Sequence, residues 1–311
     1  MYPFSLPEQY AFNGRSGTLA EHLGYSASDK LLIINADDLG LTAGVNRSIA
    51  ELIAENLVTS TTLMVTAGDY RDAVNILMQN HSIPCGVHIT MTSSLPESLI
   101  GPVCPPDSVP SLVDASGKFH FDRDLFFLNA NPDEALHEAT AQIELAIADG
   151  IDITHLDSHE GTMQLRPEFA DRYLNLAARF RLPLRMASRA LLDQIGLGEG
   201  WVERARRLNL QFPDNFVYLP IDGFANFAEK MHYMSRLIFC LPAGVTEIYF
   251  HPAAPQHEPR LTQSGRSDFA NWTVRQWDYA ILNSSEFRTA IVEQNIKLIN
   301  FKHLRDLMHQ Q

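Results

Sequence analysis

KLLIINADD, residues 30–38, begins with a lysine, continues through apolar side chains and ends in two consecutive aspartates. An apolar run without polar alternation is typical of a parallel strand that is covered on both faces. The segment therefore predicts a buried strand in an α/β fold, with two carboxylates at the end where the strand leaves the sheet.

The same alternation of apolar runs and helical periodicity continues along the chain. Further strands are predicted at residues 57–65, 85–90, 152–156, 183–187, 217–221, 245–250 and 297–300. Helices are predicted at residues 43–55, 70–79, 133–150, 168–179 and 227–239. About eight strands alternating with helices favour a TIM-barrel-like (β/α) barrel, complete or distorted, over an open doubly wound sheet. No GxGxxG turn follows the first strand, which disfavours dinucleotide binding.

The composition predicts a single domain at residues 30–311, preceded by an N-terminal arm at residues 1–29 that is rich in Pro, Gly, Ser and charged residues. Residues 92–130 have little periodicity, which is typical of a long loop over an active site. The three cysteines form no CxxC pair and are expected to be reduced.

Charge and hydropathy exclude several classes of partner. The chain has 24 Lys and Arg against 37 Asp and Glu, a formal charge of −13, so a nucleic acid would meet a repulsive field. No apolar run is long enough to span a membrane, and the first residues lack the pattern of a secretory signal. We therefore expect a soluble, cytoplasmic protein without a membrane partner.

Polar residues that can carry chemistry cluster at the predicted strand ends. They are Asp37, Asp38, His88, the group His155, Asp157 and His159, and His251. Most of these motifs alone have an ordinary structural explanation, because aspartate pairs cap turns, histidines occur in cores and a His-Pro step ends a strand. Two histidines and an aspartate within five residues, at 155–159, are harder to explain by packing and favour function. The carboxyl ends of barrel strands converge on one face, however, so their shared position favours a functional site.

One carboxylate with two neutral imidazoles forms an open three-ligand site that is typical of catalytic zinc. A second carboxylate beside the cation can remove a proton from its bound water. This chemistry leaves several functions open: amide hydrolysis, ester or phosphoester hydrolysis, and a non-catalytic sugar-binding barrel.

At these residues the sequence resembles the YdjC-like carbohydrate deacetylases, which include chitooligosaccharide and hopanoid-biosynthesis deacetylases. The resemblance covers the chain from residue 31 to its end. It is carried by INADDLGLTAGVNRSI at 34–49, LVTSTTLMV at 57–65, GVHITMT at 86–92, THLDSHEG at 154–161 and YFHPAA at 249–254.

The resemblance implies a TIM-barrel-like fold and a hydrolase that removes an N-acetyl group from an amino sugar or oligosaccharide. It implies one divalent metal ion, Mg²⁺ or Zn²⁺, and a homodimer. Carried onto this sequence, the motifs make Asp38, His88 and His159 the metal ligands. Asp37 becomes the general base, and His251 becomes the general acid that protonates the leaving amine or a group that stabilises the oxyanion.

Three further residues are candidates for contacts around the metal or with substrate. His155 and Asp157 are expected to orient His159 or each other, because a metal-bound imidazole is usually hydrogen-bonded on its other side. Arg185, in LPLRMA, is a candidate to pair with Asp37 and to hold it ionised.

The sequence departs from the family pattern directly after His159. Family members commonly continue with an HVH-like run, whereas this chain continues with Glu160, Gly161, Thr162 and Met163, so its substrate contacts are expected to differ. Aromatic rings can pack on the apolar face of a pyranose. Candidates for such a sugar platform are Trp272, Trp277, Phe119 and Phe121.

Overall fold

The computed structural model describes residues 17–93, 100–219, 223–257 and 272–310. Its strands form one all-parallel sheet in the order β4-β3-β2-β1-β6-β5, and a short seventh strand pairs with the start of β1. The strands are β1 (Lys30–Leu39), β2 (Ser60–Leu63), β3 (Cys85–Ile89), β4 (Ile153–Ser158), β5 (Asn215–Val217), β6 (Gly244–Phe250) and β7 (Lys297–Leu298).

Helices connect the strands, as parallel pairing requires. They are α1 (Leu19–His22), α2 (Ala43–Ala54), α3 (Tyr70–Gln79), α4 (Arg123–Asn129), α5 (Pro132–Ala148), α6 (Pro167–Phe180), α7 (Arg189–Gln194), α8 (Gly198–Arg207), α9 (Phe227–Cys240), α10 (Trp272–Asn283), α11 (Ser285–Glu293) and α12 (Phe301–His309). None of the described helices is long and apolar enough to cross a membrane.

The α/β class and the parallel sheet are confirmed, and the sheet forms a half-barrel; a complete eight-stranded TIM barrel is not observed in the described ranges. Beyond β4 the pairing continues through a few backbone hydrogen bonds. The N–H of Leu156 donates to the carbonyl of Pro183, and the carbonyl of Leu156 accepts the N–H of Arg185. The N–H of Leu184 donates to the carbonyl of Gln211.

Two predicted strands differ from the structure in this region. Residues 183–187 contain only an isolated bridge between Leu184 and Leu156, because Pro183 offers no N–H and α7 starts directly afterwards. The strand predicted at residues 217–221 lies earlier, since β5 already ends at Val217, and residues 220–222 lie outside the described part of the chain.

The two faces of β1 explain why its sequence has no polar alternation. Leu32, Ile34 and Ala36 pack into the main core, whereas Leu31 and Ile33 belong to a second apolar cluster. Both faces are therefore buried, as expected for a covered parallel strand.

The second cluster closes the end of the sheet where the strands begin. Its other members come from α1, β6 and α12 and include Leu19, Val245, Phe301 and Leu304. Residues 17–29 of the predicted arm thus include a helix that packs on the sheet, whereas residues 1–16 lie outside the described residues. The domain boundary at residue 30 stays a prediction.

The predicted loop at residues 92–130 contains more structure than its composition indicates. α4 begins here because the side chain of Asp122 accepts a hydrogen bond from the N–H of Leu125. The buried carboxylate of Glu138 on α5 accepts hydrogen bonds from the N–H groups of Val103 and Cys104, which fixes the loop against the core. Residues 94–99 are not described.

Candidate metal centre and catalytic cleft

Three predicted ligands meet where the strands end. Asp38 lies near the end of β1, His88 lies on β3 and His159 directly follows β4. Asp38 Oδ1 lies 3.3 Å from His88 Nε2 and 3.4 Å from His159 Nδ1, and the two imidazole nitrogens are 3.2 Å apart. All three side chains are buried, so the donor atoms form a small triangle inside the protein.

This triangle fits a small divalent cation. Four donors arranged tetrahedrally at about 2.0–2.1 Å from zinc are separated from one another by about 3.3 Å, which matches the three observed distances. Asp38 Oδ1 is a buried carboxylate oxygen that accepts no hydrogen bond with proper geometry. Because an uncompensated buried carboxylate oxygen is costly, the donor set supports a bound cation.

Asp157 holds His88 in the orientation that a metal ligand needs. Its Oδ2 lies 2.7 Å from His88 Nδ1, on the side of the ring opposite the triangle. A proton on Nδ1 leaves the lone pair of Nε2 directed at the cation site. Asp157 was expected to orient His159 or His155, and in the structure it contacts His88 instead.

Arg185 joins three buried carboxylates. It contacts Asp37 through two parallel hydrogen bonds, of 2.7 Å from Nη1 and 2.8 Å from Nη2, and its Nη1 also contacts Asp157. Its Nε donates to Glu247 Oε1 at 2.8 Å. Arg185 therefore links Asp37, the predicted base, to Asp157, which contacts the predicted metal ligand His88.

Glu247 and Arg275 contact the same cluster of charged side chains, although neither belongs to the sequence motifs at the strand ends. Glu247 is the one charged side chain in the apolar strand β6, and that exception was the available signal. Arg275 lies on α10, and its Nη2 contacts Asp38 Oδ2. No local pattern indicated this contact, which joins residues 237 positions apart.

His251 lies at the rim of the same site. Its Nε2 is 3.9 Å from Asp37 Oδ2 and 4.0 Å from Asp38 Oδ2. The main chain at this position is held by Asp278 of α10, whose Oδ2 accepts the N–H of His251 at 3.0 Å. Asp278 is in turn paired with the buried Lys230 of α9.

His155 does not reach the metal triangle. Its ring stacks on Phe301 of α12 with a centroid distance of 3.8 Å, and its Nδ1 is 2.9 Å from Thr154 Oγ1. A side chain on Gly86 would collide with this ring, since a Cβ there would lie 2.6 Å from it. His155 therefore packs at the closed end of the sheet, away from the cleft.

The buried charges shift the pKa values of the site. Burial lowers the pKa of His88, but its contacts with Asp157 and Asp38 outweigh burial and raise that pKa to about 10. Burial raises the pKa of Asp38, but Arg275, His159, His251 and His88 together outweigh burial and hold that pKa well below its usual range. Burial lowers the pKa of His251. Because the pKa of His88 is raised, binding of a cation to its ring would displace a proton.

A cleft lies beside the triangle and shares His88 with it; its lining also includes Asp37, Arg185 and His251. One wall is aromatic: Phe216 and Tyr249 stack with centroids 5.5 Å apart, and Tyr218 beside them is 56% exposed. Alternation around β5 places residues 216 and 218 on one face, which is the signal that could have identified them.

The aromatic platform candidates proposed from the sequence lie elsewhere. Phe119 is buried in the main core, and Trp272 packs beneath the guanidinium of Arg275. The residues that line the cleft in the described ranges do not include Trp272, Trp277, Phe119 or Phe121.

The segment that departs from the family pattern also lines the cleft. His159–Gly161 forms a 3-10 turn in which Glu160 adopts a positive φ of 54°. The carbonyl of Glu160 accepts a hydrogen bond of 3.2 Å from Arg123 Nη1 of α4. Glu160, Gly161 and Arg123 therefore line the cleft together with the aromatic residues.

Comparison with known proteins gives matches over most of the chain. Residues 31–293 match the sequence profile of the family described as YdjC-like protein. A carbohydrate deacetylase of Brevibacillus brevis is 30% identical over 88% of this chain and 99% of its own length. A carbohydrate deacetylase of Enterococcus faecalis is 31% identical over 89% of this chain and 99% of its own length.

A solved crystal structure also resembles this chain in its fold. It is the crystal structure of an Enterococcus faecalis V583 protein described as a candidate for cellobiose-phosphate cleavage. The two chains are 30% identical with a TM-score of 0.74, and the match covers 89% of this chain and 99% of the other.

Proposed function

Because the chain belongs to the YdjC-like protein family, we propose that it is a carbohydrate deacetylase that uses one divalent cation to hydrolyse the N-acetyl group of an amino sugar or oligosaccharide. The observation that carries the proposal is the convergence of Asp38, His88 and His159 on one buried point. Asp37 and His251 line the same cleft, so a base and an acid lie beside the cation site.

Asp38, His88 and His159 would hold the cation. Bound there, a divalent cation such as Zn²⁺ or Mg²⁺ supplies Lewis acidity and lowers the pKa of a water molecule. Asp157 keeps the Nε2 of His88 directed at this point, and Arg275 compensates the buried charge of Asp38.

Asp37 accepts the proton of the attacking water. Its paired hydrogen bonds with Arg185 and the hydrogen bond from Asn35 Nδ2, at 2.7 Å, fix the orientation of its carboxylate. The water oxygen attacks the carbonyl carbon of the acetamido group, and the C–N bond then breaks to give acetate and an amine.

His251 donates a proton to the departing nitrogen. Its pKa, lowered by burial, allows the ring to give up a proton readily. The same position also suits stabilisation of the oxyanion by a protonated imidazole. Phe216, Tyr218 and Tyr249 supply an apolar wall against which a pyranose ring can pack.

We also infer that the half-barrel is part of a distorted TIM-barrel-like fold, since a few backbone hydrogen bonds continue the sheet from β4 through residues 183–185 to residue 211. The homodimer and the cytoplasmic location stay predictions.

A binuclear phosphoesterase is less well supported. A second group of potential ligands, Asp37, His88 and Asp157, lies beside the first. The guanidinium of Arg185 already contacts Asp37 and Asp157 and takes the place that a second cation would need.

The proposal is tested by measuring acetate released from a panel of N-acetylated mono- and oligosaccharides, with and without a chelator. We expect acetate from at least one sugar, its loss with chelator, its return with added metal and no product from a phosphodiester. A phosphodiesterase activity without acetate release would refute the deacetylase proposal, and sugar binding without turnover would indicate the non-catalytic barrel.

A further inference from the structure

The two oxygens of Asp38 have different partners. Oδ1 points into the triangle with His88 and His159, whereas Oδ2 contacts the guanidinium of Arg275. Asp38 and Arg275 are 0% and 4% exposed, so this ion pair is shielded from water. Asp38 therefore has one oxygen for a cation, and the other is held by a positive charge.

The position of Arg275 is fixed by the contacts of α10. The carbonyl of Arg275 accepts the N–H of Ala253, just after β6. One turn further along the same helix, Asp278 accepts the N–H of His251 and pairs with Lys230. These contacts bind α10 to the strand end, so the guanidinium cannot easily move away from Asp38.

We propose that Arg275 is a positioning residue that makes Asp38 a one-oxygen ligand and thereby selects a small, low-coordinate cation over larger ones. The inference rests on the proposed metal-dependent function. It concerns the choice of cation, which neither the family match nor the ligand triangle alone determines.

Coordination chemistry explains the selection. Larger cations such as Ca²⁺ take six to eight oxygens at about 2.3–2.6 Å and often use both oxygens of one carboxylate. Zn²⁺ takes about four ligands at about 2.0–2.3 Å and is satisfied by one oxygen and two imidazoles. A cation chelated by both oxygens of Asp38 would approach the guanidinium of Arg275, and the two positive charges would repel each other in a buried site.

The test measures the affinities of the full-length, metal-stripped protein for Zn²⁺ and Mn²⁺ by competition with a chromophoric chelator. In Arg275→Met, Oδ2 is released and two-oxygen binding becomes possible. We expect the preference for Zn²⁺ over Mn²⁺ to fall about tenfold or more, as is usual when a residue that orients a ligand is lost.

A matched control separates this effect from the loss of a buried guanidinium in general. Arg305→Met on α12 removes a buried guanidinium that pairs with Asp152 and donates to the carbonyl of Ile153 at the start of β4, away from Asp38. Its preference for Zn²⁺ should therefore remain that of the wild type. The visible spectrum of the Co²⁺-loaded protein gives a second readout, since four-coordinate Co²⁺ absorbs more strongly than six-coordinate Co²⁺. We expect weaker absorption for Arg275→Met only.

An unchanged Zn²⁺ preference in Arg275→Met, or an equal loss in Arg305→Met, would overturn the inference while leaving the proposed function intact. A wild-type protein that binds neither cation would refute both. Thermal unfolding of the metal-free variants verifies that each protein measured is folded.

Discussion

Asp37 and Asp38 are adjacent residues with separate sets of contacts. Asp37 is bound by Arg185, Asn35 and Thr62, whereas Asp38 faces His88, His159 and Arg275. Asp38 has a backbone φ of 71°, a value that residues other than glycine rarely adopt. Such strained conformations cluster at functional sites, and here the strain turns the second carboxylate away from the first.

Replacing Asp37 with asparagine should leave metal binding intact and abolish most turnover. The amide cannot accept the proton of water, so we expect kcat to fall about 10²–10⁴-fold. Metal content measured by elemental analysis should equal that of the wild type. Unchanged turnover would remove Asp37 as the base, and Asp38→Asn, which should lose the metal, is the paired comparison.

His159→Ala should lower the metal content of the purified protein, because it removes one of the three converging donors. His155→Ala should keep the metal, since that ring stacks on Phe301 at the closed end of the sheet. Both are measured by the ratio of metal to protein after dialysis. If His159→Ala retained its full metal content and His155→Ala had none, the metal ligand would be His155 and not His159.

Glu247→Gln should change how stability depends on pH. Burial raises the pKa of Glu247 from 4.5 to about 8, so the folded chain binds the proton more tightly than the unfolded chain does. The wild type therefore loses stability as the pH rises from 4.5 to about 8, by about 1.4 kcal/mol for each unit of pKa difference that is crossed.

Glutamine cannot ionise, and its amide oxygen can still accept the hydrogen bond of Arg185 Nε. We therefore compare the free energies of unfolding of Glu247→Gln and the wild type, measured with urea in the presence of chelator. We expect the difference, variant minus wild type, to be larger at pH near 9 than at pH near 5. The same stability difference at both pH values would contradict the raised pKa.

The sequence identified the residues that lie at strand ends, because strand ends can be located from apolar runs. It missed Arg275, Asp278 and Lys230, because these lie within amphipathic helices where a charged side chain is usually exposed. Only the tertiary packing of α9 and α10 buries them beside the site.

Helix α12 and the cleft lie at opposite ends of the strands. Phe301 at the start of α12 is fully buried, stacks on His155 and packs with Leu31 and Ile33. The charged site thus lies at one end of the strands, and the apolar cluster around Phe301 lies at the other. We therefore expect a substitution in one region to leave the other unchanged.

Phe301→Ala should destabilise the protein by about 3–5 kcal/mol, because it leaves a cavity and removes the stacking partner of His155. Metal affinity of the folded fraction should not change. Urea unfolding and metal titration measure the two quantities. Phe239→Ala on α9, at a 66% exposed position, is the matched control and should cost less than about 0.5 kcal/mol.

The strands with clear apolar runs were predicted well, and the segments at residues 183–187 and 217–221 were not. β1 and β6 were located closely because their burial on both faces leaves a clear sequence pattern. The segment at residues 183–187 has the composition of a strand, but its pairing depends on the distant residue Gln211. A local pattern contains no information about such a partner.

At the scale of the whole molecule, folding and metal binding should be coupled. The triangle joins β1, β3 and the end of β4, and these ligands converge only in the folded chain. A free cation at about 100 times its dissociation constant should stabilise the protein by about 2.7 kcal/mol. The melting temperature should rise with Zn²⁺, fall with chelator and not respond to Zn²⁺ in His159→Ala.

Asp37, the proposed proton acceptor, and Asp38, the proposed cation ligand, are joined by one rigid peptide unit, with Cα atoms about 3.8 Å apart. No hinge lies between them, so opening and closing of the surrounding loops cannot change their spacing. A one-residue insertion or deletion within β1 would exchange the orientations of the two side chains. Changes of chain length in related proteins should therefore be absent from this strand and accumulate in the connections between elements.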